Sequence, residues 1–199
     1  LINRYKMMMV KIDDSANVVE TTTKTPIEGL LNDDKPKIEE HNPLSKKDKQ
    51  KLDKWFTKMS AIGTPLPDYK DIEGGTILDI GANVGVFSKK IRHMCKECHI
   101  FAFEAVPLFA KYVETLNIGN INVYPYGLSD QSGEADFWLA RDGNYGWNTM
   151  IGPRKNMKKE KMKFKAFDDL NINVGNLKLI KIDTEGAEYK VLRGLSKVI

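Results

Sequence analysis

Apolar positions along the C-terminal two thirds of this chain switch repeatedly between two spacings, and the switching predicts the fold. Short apolar runs of strand length stand at residues 77–80, 99–103, 121–126 and 177–182. Between them the apolar residues fall three and four apart, as on one face of a helix: Val84, Phe87 and Ile91; then Leu108, Phe109, Tyr112, Val113 and Leu116; then Val191, Leu192 and Leu195. Strand and helix in alternation predict an α/β fold, an open, mostly parallel sheet with right-handed crossovers and flanking helices. Residues 134–139 alternate with period two and predict an antiparallel addition. A sheet that stops with the strand at 177–182 and one more helix would leave a long apolar edge unpaired. Strands C-terminal to this helix are therefore expected to be missing, and the domain to be truncated at that end.

Upstream the pattern changes. Residues 5–12 read as a strand, Asp13-Asp14-Ser15 as a turn, and Val18-Val19 as a returning strand; residues 21–43 show no period and read as linker. Ser45 caps a helix whose apolar face holds Leu52, Trp55, Phe56 and Met59, and whose other face holds Lys46, Lys47, Lys49, Lys51 and Lys54. The chain thus divides into a hairpin and linker (1–44), an amphipathic helix (45–62) and an α/β domain (74–199).

Composition narrows the classes without naming one. With 199 residues, 41% hydrophobic and 29% charged, the chain can bury a core and is neither disordered nor membrane-like in composition. A net charge of +4 permits an anionic partner without requiring one. No run approaches the roughly 20 apolar residues of a membrane span, so a cytoplasmic setting is expected, with an upstream leader or anchor left open because the chain begins at Leu1. Cys95 and Cys98, flanked by His93 and His99, spell a haem-attachment pattern and also offer four zinc ligands. The segment lies where a helix gives way to a strand that would take His99, so two reduced thiols are expected and no metal is assigned.

The chemistry concentrates at the first strand-to-helix turn, Gly81-Ala82-Asn83-Val84-Gly85. Glycine at both ends allows a sharp turn and close approach of a ligand, and the free N–H groups of the new helix point at the same place. A dinucleotide fingerprint would need glycine at 83 and a small residue at 86, where Asn83 and Val86 stand, and no Gly-Lys-Ser/Thr follows for a phosphate loop. A nucleoside without pyrophosphate remains. Glu104, ending the second strand, can accept both hydroxyls of a ribose. S-adenosylmethionine satisfies this arrangement: ribose on Glu104 beside Ala105, the methionyl end against Gly81, Ala82, Asn83 and Gly85 and the carboxylates of Asp79 and Asp183, and adenine near Ser129 and Asp130. Its sulfonium and ammonium charges suit an acidic rim.

Four blocks, DIGANVG, FAFEAVP, GLSDQSG and IKIDTEGAEYKVLRG, resemble in order and spacing the FkbM family of S-adenosylmethionine-dependent methyltransferases, over about residues 74–199. One departure is Glu104-Ala105 where the family usually has Glu-Pro. The resemblance implies a Rossmann-like class I methyltransferase fold, S-adenosylmethionine as cofactor, and O-methyl transfer to a hydroxyl of a sugar, glycan or other metabolite. Methyl transfer to an alcohol is an in-line displacement that needs the hydroxyl proton removed, so Asp183 and Glu185 are the catalytic candidates. Tyr145, Trp147 and Asn148, in a loop rich in glycine, asparagine and aromatics, together with Glu188, are expected at the acceptor site. The helix dipole would by itself also favour acidic residues at 185 and 188. Two other readings stand beside this one. The basic stretch 154–165 and the lysine-rich helix suit an RNA methyltransferase, although no recognisable RNA-binding module accompanies them. The apparently missing strands suit an inactive S-adenosylmethionine-binding module.

Overall fold

The computed structural model describes residues 7–12, 44–141 and 143–199. Five strands form the main sheet: β1 (Met8–Lys11), β2 (Thr76–Ile80), β3 (His99–Phe103), β4 (Ile121–Tyr124) and β8 (Leu177–Ile182), in the spatial order β1-β8-β2-β3-β4. β2 pairs in parallel with both β3 and β8, and β3 in parallel with β4. All five residues of β2 are buried, as a central strand covered on both faces requires. On one face Leu78, Phe101, Ile180 and Ile182 pack with Val191 and Leu195 of and beyond helix α4 (Glu188–Gly194). On the other, Ile77, Ile100 and Leu179 meet Phe87 and Ile91 of α2 (Val86–Met94) and Val113 of α3 (Pro107–Thr115). Pro107 starts α3 where a missing N–H costs least. The result is a mixed α/β topology with flanking helices, consistent with a general class I-like plan.

The expected bare edge is not bare. β1 runs antiparallel along the outer side of β8, from Met8 opposite Ile182 to Lys11 opposite Leu179. The strand read at 5–12 thus exists, but its partner is β8, supplied from the other end of the described chain. A local pattern of apolar residues cannot reveal so distant a partner. The turn and returning strand expected at 13–19, and the linker at 21–43, lie outside the described residues.

A second, three-stranded sheet stands beside the main one in the order β5 (Gly127–Leu128), β7 (Met157–Lys165), β6 (Gly133–Ala140). β6 and β7 pair antiparallel from Gly133–Phe164 to Ala140–Met157, which is the predicted addition. Most of the basic stretch 154–165 forms β7, with its lysines exposed. Lys159, Lys161, Lys163 and Lys165 occupy the outward positions while Met162 and Phe164 are buried, and Lys159 and Lys161 both pair with Asp136, at 2.5 and 2.8 Å. A strand carrying lysine on one face hides its period in a plain reading of charge.

Helix α1 (Lys46–Ala61) begins at Ser45, whose hydroxyl accepts from the Asp48 N–H at 3.1 Å. Its Leu52 and Trp55 are buried against Phe109 and Tyr112 of α3 and Phe137 and Phe164 of the small sheet. Among the described residues no helix is long and apolar enough to cross a membrane. The expectation of two free thiols is also corrected. The turn from α2 into β3 brings Cys95 and Cys98 together with Cα atoms 5.5 Å apart, and they form a disulfide buried beside Ile72. His99 is the first residue of β3, as expected.

From β2 the chain steps outward through β3 to β4, then returns to place β8 on the opposite side of β2. The carboxyl ends of β2 and β8 therefore flank the point where strand order reverses, where sheets of this kind bind ligands.

Candidate active site

The glycine turn closes against β8 so tightly that only glycine fits. At Gly81 φ is 74°, and a Cβ there would lie 2.1 Å from the Asp183 carbonyl oxygen. The N–H groups of Gly81 and Ala82 both donate to the Phe103 carbonyl, at 3.0 and 3.1 Å, tying the turn to the end of β3. Asn83 adopts a left-handed φ of 50° and its N–H donates to Glu104 Oε2 at 2.8 Å. The Asn83 side-chain oxygen accepts from Val84 N–H and from the Trp55 indole N–H, each at 2.9 Å, and its amide nitrogen donates to the Tyr145 carbonyl at 3.2 Å. Gly85, with φ 79°, starts α2 against Val113 and Leu116.

Glu104 is buried. Its other oxygen accepts from the Val106 N–H at 2.9 Å. Burial pushes its carboxyl up to about 7, against the downward pull of those two backbone N–H groups and of Lys181. Each oxygen keeps acceptor capacity beyond the one N–H it holds.

Asp79 is fully buried behind the turn. Ser88 Oγ donates to one oxygen at 2.6 Å and Lys181 Nζ lies 2.9 Å from the other. Lys181 also donates to the Gly81 carbonyl at 2.7 Å, so one ammonium holds both the acid and the turn. Burial would lower Lys181, but the carboxylates of Asp79, Asp183 and Glu104 outweigh it and hold the ammonium above its ordinary range. Sequence reading missed Lys181, although a signal was present. In a strand buried on both faces, a lysine near the carboxyl end has nowhere exposed to go and must meet a partner.

The acidic loop after β8 carries the candidate base. Burial raises Asp183, opposed by Lys181 and assisted by Asp79 and Glu188. Glu185 sits at a left-handed φ of 54°, rare for a residue with a side chain. The guanidinium of Arg154 donates from both terminal nitrogens to Glu185 Oε2 at 3.0 Å, and the Thr149 hydroxyl donates to the Glu185 carbonyl at 2.9 Å. Burial raises Glu185 above the usual carboxylate range while Arg154 pulls it back. Arg154, whose guanidinium also stands 5.7 Å over the Trp147 ring, is a second residue that sequence reading missed, because it opens a run of lysines and reads as one of them. Glu188 folds back into its own loop and accepts from Thr184 and Gly186 N–H at 3.2 and 3.0 Å.

Two clefts open on either side of Gly81. The first, about 470 Å³ including its open mouth, is walled by Glu104, Ala105, Leu128, Phe137, Met150 and Phe164 and reached by Asn148. Asn148 Oδ1 accepts from Ala140 N–H at 2.9 Å, whereas its buried Nδ2 has no partner among the described residues. The second, about 390 Å³, is lined by Ala82, Asn83, Lys181 and Asp183, with Met59 and Thr64 opposite. The structure thus gathers Gly81, Ala82, Asn83, Glu104, Ala105 and Asp183 at one rim. It places Ser129 and Asp130 outside both clefts: Asp130 faces Arg193 at 3.6 Å and Ser129 lies under Gly194. The Tyr145 ring turns inward onto Trp55 and Phe109, at 5.6 and 5.2 Å between centroids. The donor set fits S-adenosylmethionine. A buried carboxylate with free lone pairs suits a ribose, an apolar slot with one orphaned amide suits a flat base, and an adjacent carboxylate and ammonium suit an α-amino acid.

The family described as Methyltransferase FkbM domain matches residues 79–199. A curated protein of Beauveria bassiana (strain ARSEF 2860), named Methyltransferase 1, is 30% identical over an alignment of 155 residues; the match covers 66% of this chain and 60% of that protein. The chain therefore spans about 60% of the length of that relative. No solved structure matches.

Proposed function

Because the chain belongs to the FkbM family of methyltransferases, we propose that it transfers a methyl group from S-adenosylmethionine to a hydroxyl of a sugar, glycan or other small metabolite. The observation that carries this reading is the meeting of Gly81, Glu104 and Asp183, from three separate sequence blocks, around two adjoining clefts. When bound, the cofactor supplies an electrophilic methyl group on a sulfonium. Glu104 holds the ribose hydroxyls, Leu128, Phe137, Met150 and Phe164 enclose the base, and Asp183 beside Lys181 receives the amino-acid end. Glu185 takes the hydroxyl proton of the acceptor, and Arg154 fixes its carboxylate from two nitrogens. Thr149 secures the same residue through its backbone carbonyl.

A small or neutral acceptor is favoured over RNA by the state of β7. Lys159 and Lys161 are both paired with Asp136, and Lys163 stands opposite Glu134, so the outward face of the small sheet is a mixed ladder of both signs rather than a basic track. Isothermal calorimetry with S-adenosylmethionine tests the reading directly. Binding that Glu104→Ala abolishes supports it, and the absence of any heat or thermal shift overturns it. With binding in hand, a panel of hydroxylated acceptors and methyl-labelled cofactor should give product in the wild type and far less in Glu185→Ala, with cofactor affinity retained. Acceptor binding that collapses at moderate salt would favour the nucleic-acid reading instead.

A further inference from the structure

Helix α1 lies entirely before residue 79, where the family match begins. Yet it reaches the centre of the site. Trp55 is 5% exposed, and its indole N–H ends on the side-chain oxygen of Asn83 at 2.9 Å. Asn83 is the residue of the turn whose main chain cannot relax freely. It holds a left-handed φ, its own N–H is given to Glu104, and its amide nitrogen reaches across to the Tyr145 carbonyl. The Trp55 and Tyr145 rings meet edge to face, with Phe109 beneath Tyr145, so the same two segments that bond Asn83 also pack on one another. One turn further along, Met59, and beyond the helix Thr64, line the second cleft opposite Asp183 and Lys181.

We propose that α1 is a working wall of the cofactor site, and that Trp55 is its positioning residue, joining the glycine turn to the loop 145–148 through the two ends of the Asn83 amide. The Asn83 amide is engaged at both ends, its oxygen by the Val84 N–H and the indole and its nitrogen by the Tyr145 carbonyl, and of these only the indole comes from α1. With the indole donor in place, the Asn83 oxygen faces α1, the nitrogen faces Tyr145, and the Asn83 N–H stays aimed at Glu104. Without it, the amide oxygen keeps only the neighbouring Val84 N–H, and the bond that ties this side chain to α1 is gone. The turn then relaxes together with the segment 145–148 that carries Asn148 into the first cleft. This inference rests on the proposed cofactor site for its meaning, but the coupling itself is a property of the protein without ligand.

The test is Trp55→Phe in the full chain, which keeps an aromatic ring in the cluster and deletes only the N–H donor. Phe56→Leu, on the neighbouring side of the helix where Phe56 packs on Tyr112, is the control. In hydrogen exchange without ligand, Trp55→Phe should speed exchange at residues 83–84 and also at 145–149, while Phe56→Leu leaves both unchanged. Calorimetry should show weaker S-adenosylmethionine binding by about fivefold in Trp55→Phe, the scale of one neutral hydrogen bond, and affinity within about twofold of wild type in Phe56→Leu. Faster exchange confined to α1, with residues 83–84 and 145–149 unmoved, would overturn the proposal. So would unchanged cofactor affinity in Trp55→Phe. A wild type that binds no S-adenosylmethionine, yet shows the coupled exchange, would sink the proposed function and leave the coupling standing.

Discussion

A carboxylate sealed from water keeps its proton longer than one in solvent, and Glu104 puts that rule at the heart of the site. Its folded-state value of about 7 lies above that of an unfolded glutamate. Its contribution to stability is therefore fully present below the ordinary carboxylate range and is lost as pH rises to about 7. Glu104→Gln should flatten the fall in denaturation free energy between about pH 4.5 and 7, measured by urea titration across that range. Ribose hydroxyls donate best to the ionised form, so cofactor affinity should strengthen as pH rises through about 7, as calorimetry at several pH values would show. At Glu185 the balance is different, because Arg154 opposes the effect of burial. Arg154→Gln should raise the Glu185 carboxyl further and move the basic-group limb of the pH–rate profile to higher pH, with cofactor affinity unchanged. Carboxyl NMR of the variant reads the same shift without an acceptor. Glu104 and Gly81 were legible in the sequence because a strand end and a tight turn dictate residue type locally. Arg154 was not, since it takes its role from a partner on a distant segment, and for Lys181 the buried strand signalled only that a partner exists, not that it is Asp79.

Between elements of the main sheet, β2 and β8 join in parallel, and an ion pair lies inside that join. Asp79 and Lys181 are 0% and 4% exposed in their side chains, a pair for which removing one partner strands the other. Lys181→Met should therefore cost about 3–5 kcal/mol, and adding Asp79→Asn should recover part of that loss. Chemical denaturation of the two single variants and the double variant completes the cycle; additive losses would show that the two side chains act independently. The same join explains why the parallel core was predictable and the small sheet less so. β2, β3 and β8 are apolar on both faces and stand out from their surroundings, whereas β7 buries Met162 and Phe164 behind a row of lysines. The disulfide was equally out of reach, because two cysteines three apart become neighbours only through the path of the turn that joins α2 to β3.

For the molecule as a whole, the sheet depends on a strand that arrives from far away in sequence. β1 covers the outer edge of β8 over four residue pairs, and Val10 packs against the core on that side. Val10→Pro should remove a ladder donor and wedge the edge open. The melting temperature should drop by about 4 °C or more, with light scattering reporting association through the freed edge; an unchanged melt and no scattering would show that the edge needs no cover. Alternating periods made the parallel order readable, but nothing local in residues 8–11 announces a partner beyond residue 176. That arrangement also sets a timetable. β8 lies between β1 and β2, yet it is made after all the other strands of both sheets. On the ribosome, β2, β3 and β4 can assemble early, while β1 waits and one side of β2 stays open until residues 177–182 emerge. Release of a chain stalled before that point would leave β1 without its partner and would expose β2, buried along its whole length in the finished sheet, as an edge strand. The late strand that carries the acidic loop is thus also the one whose arrival licenses the rest to close.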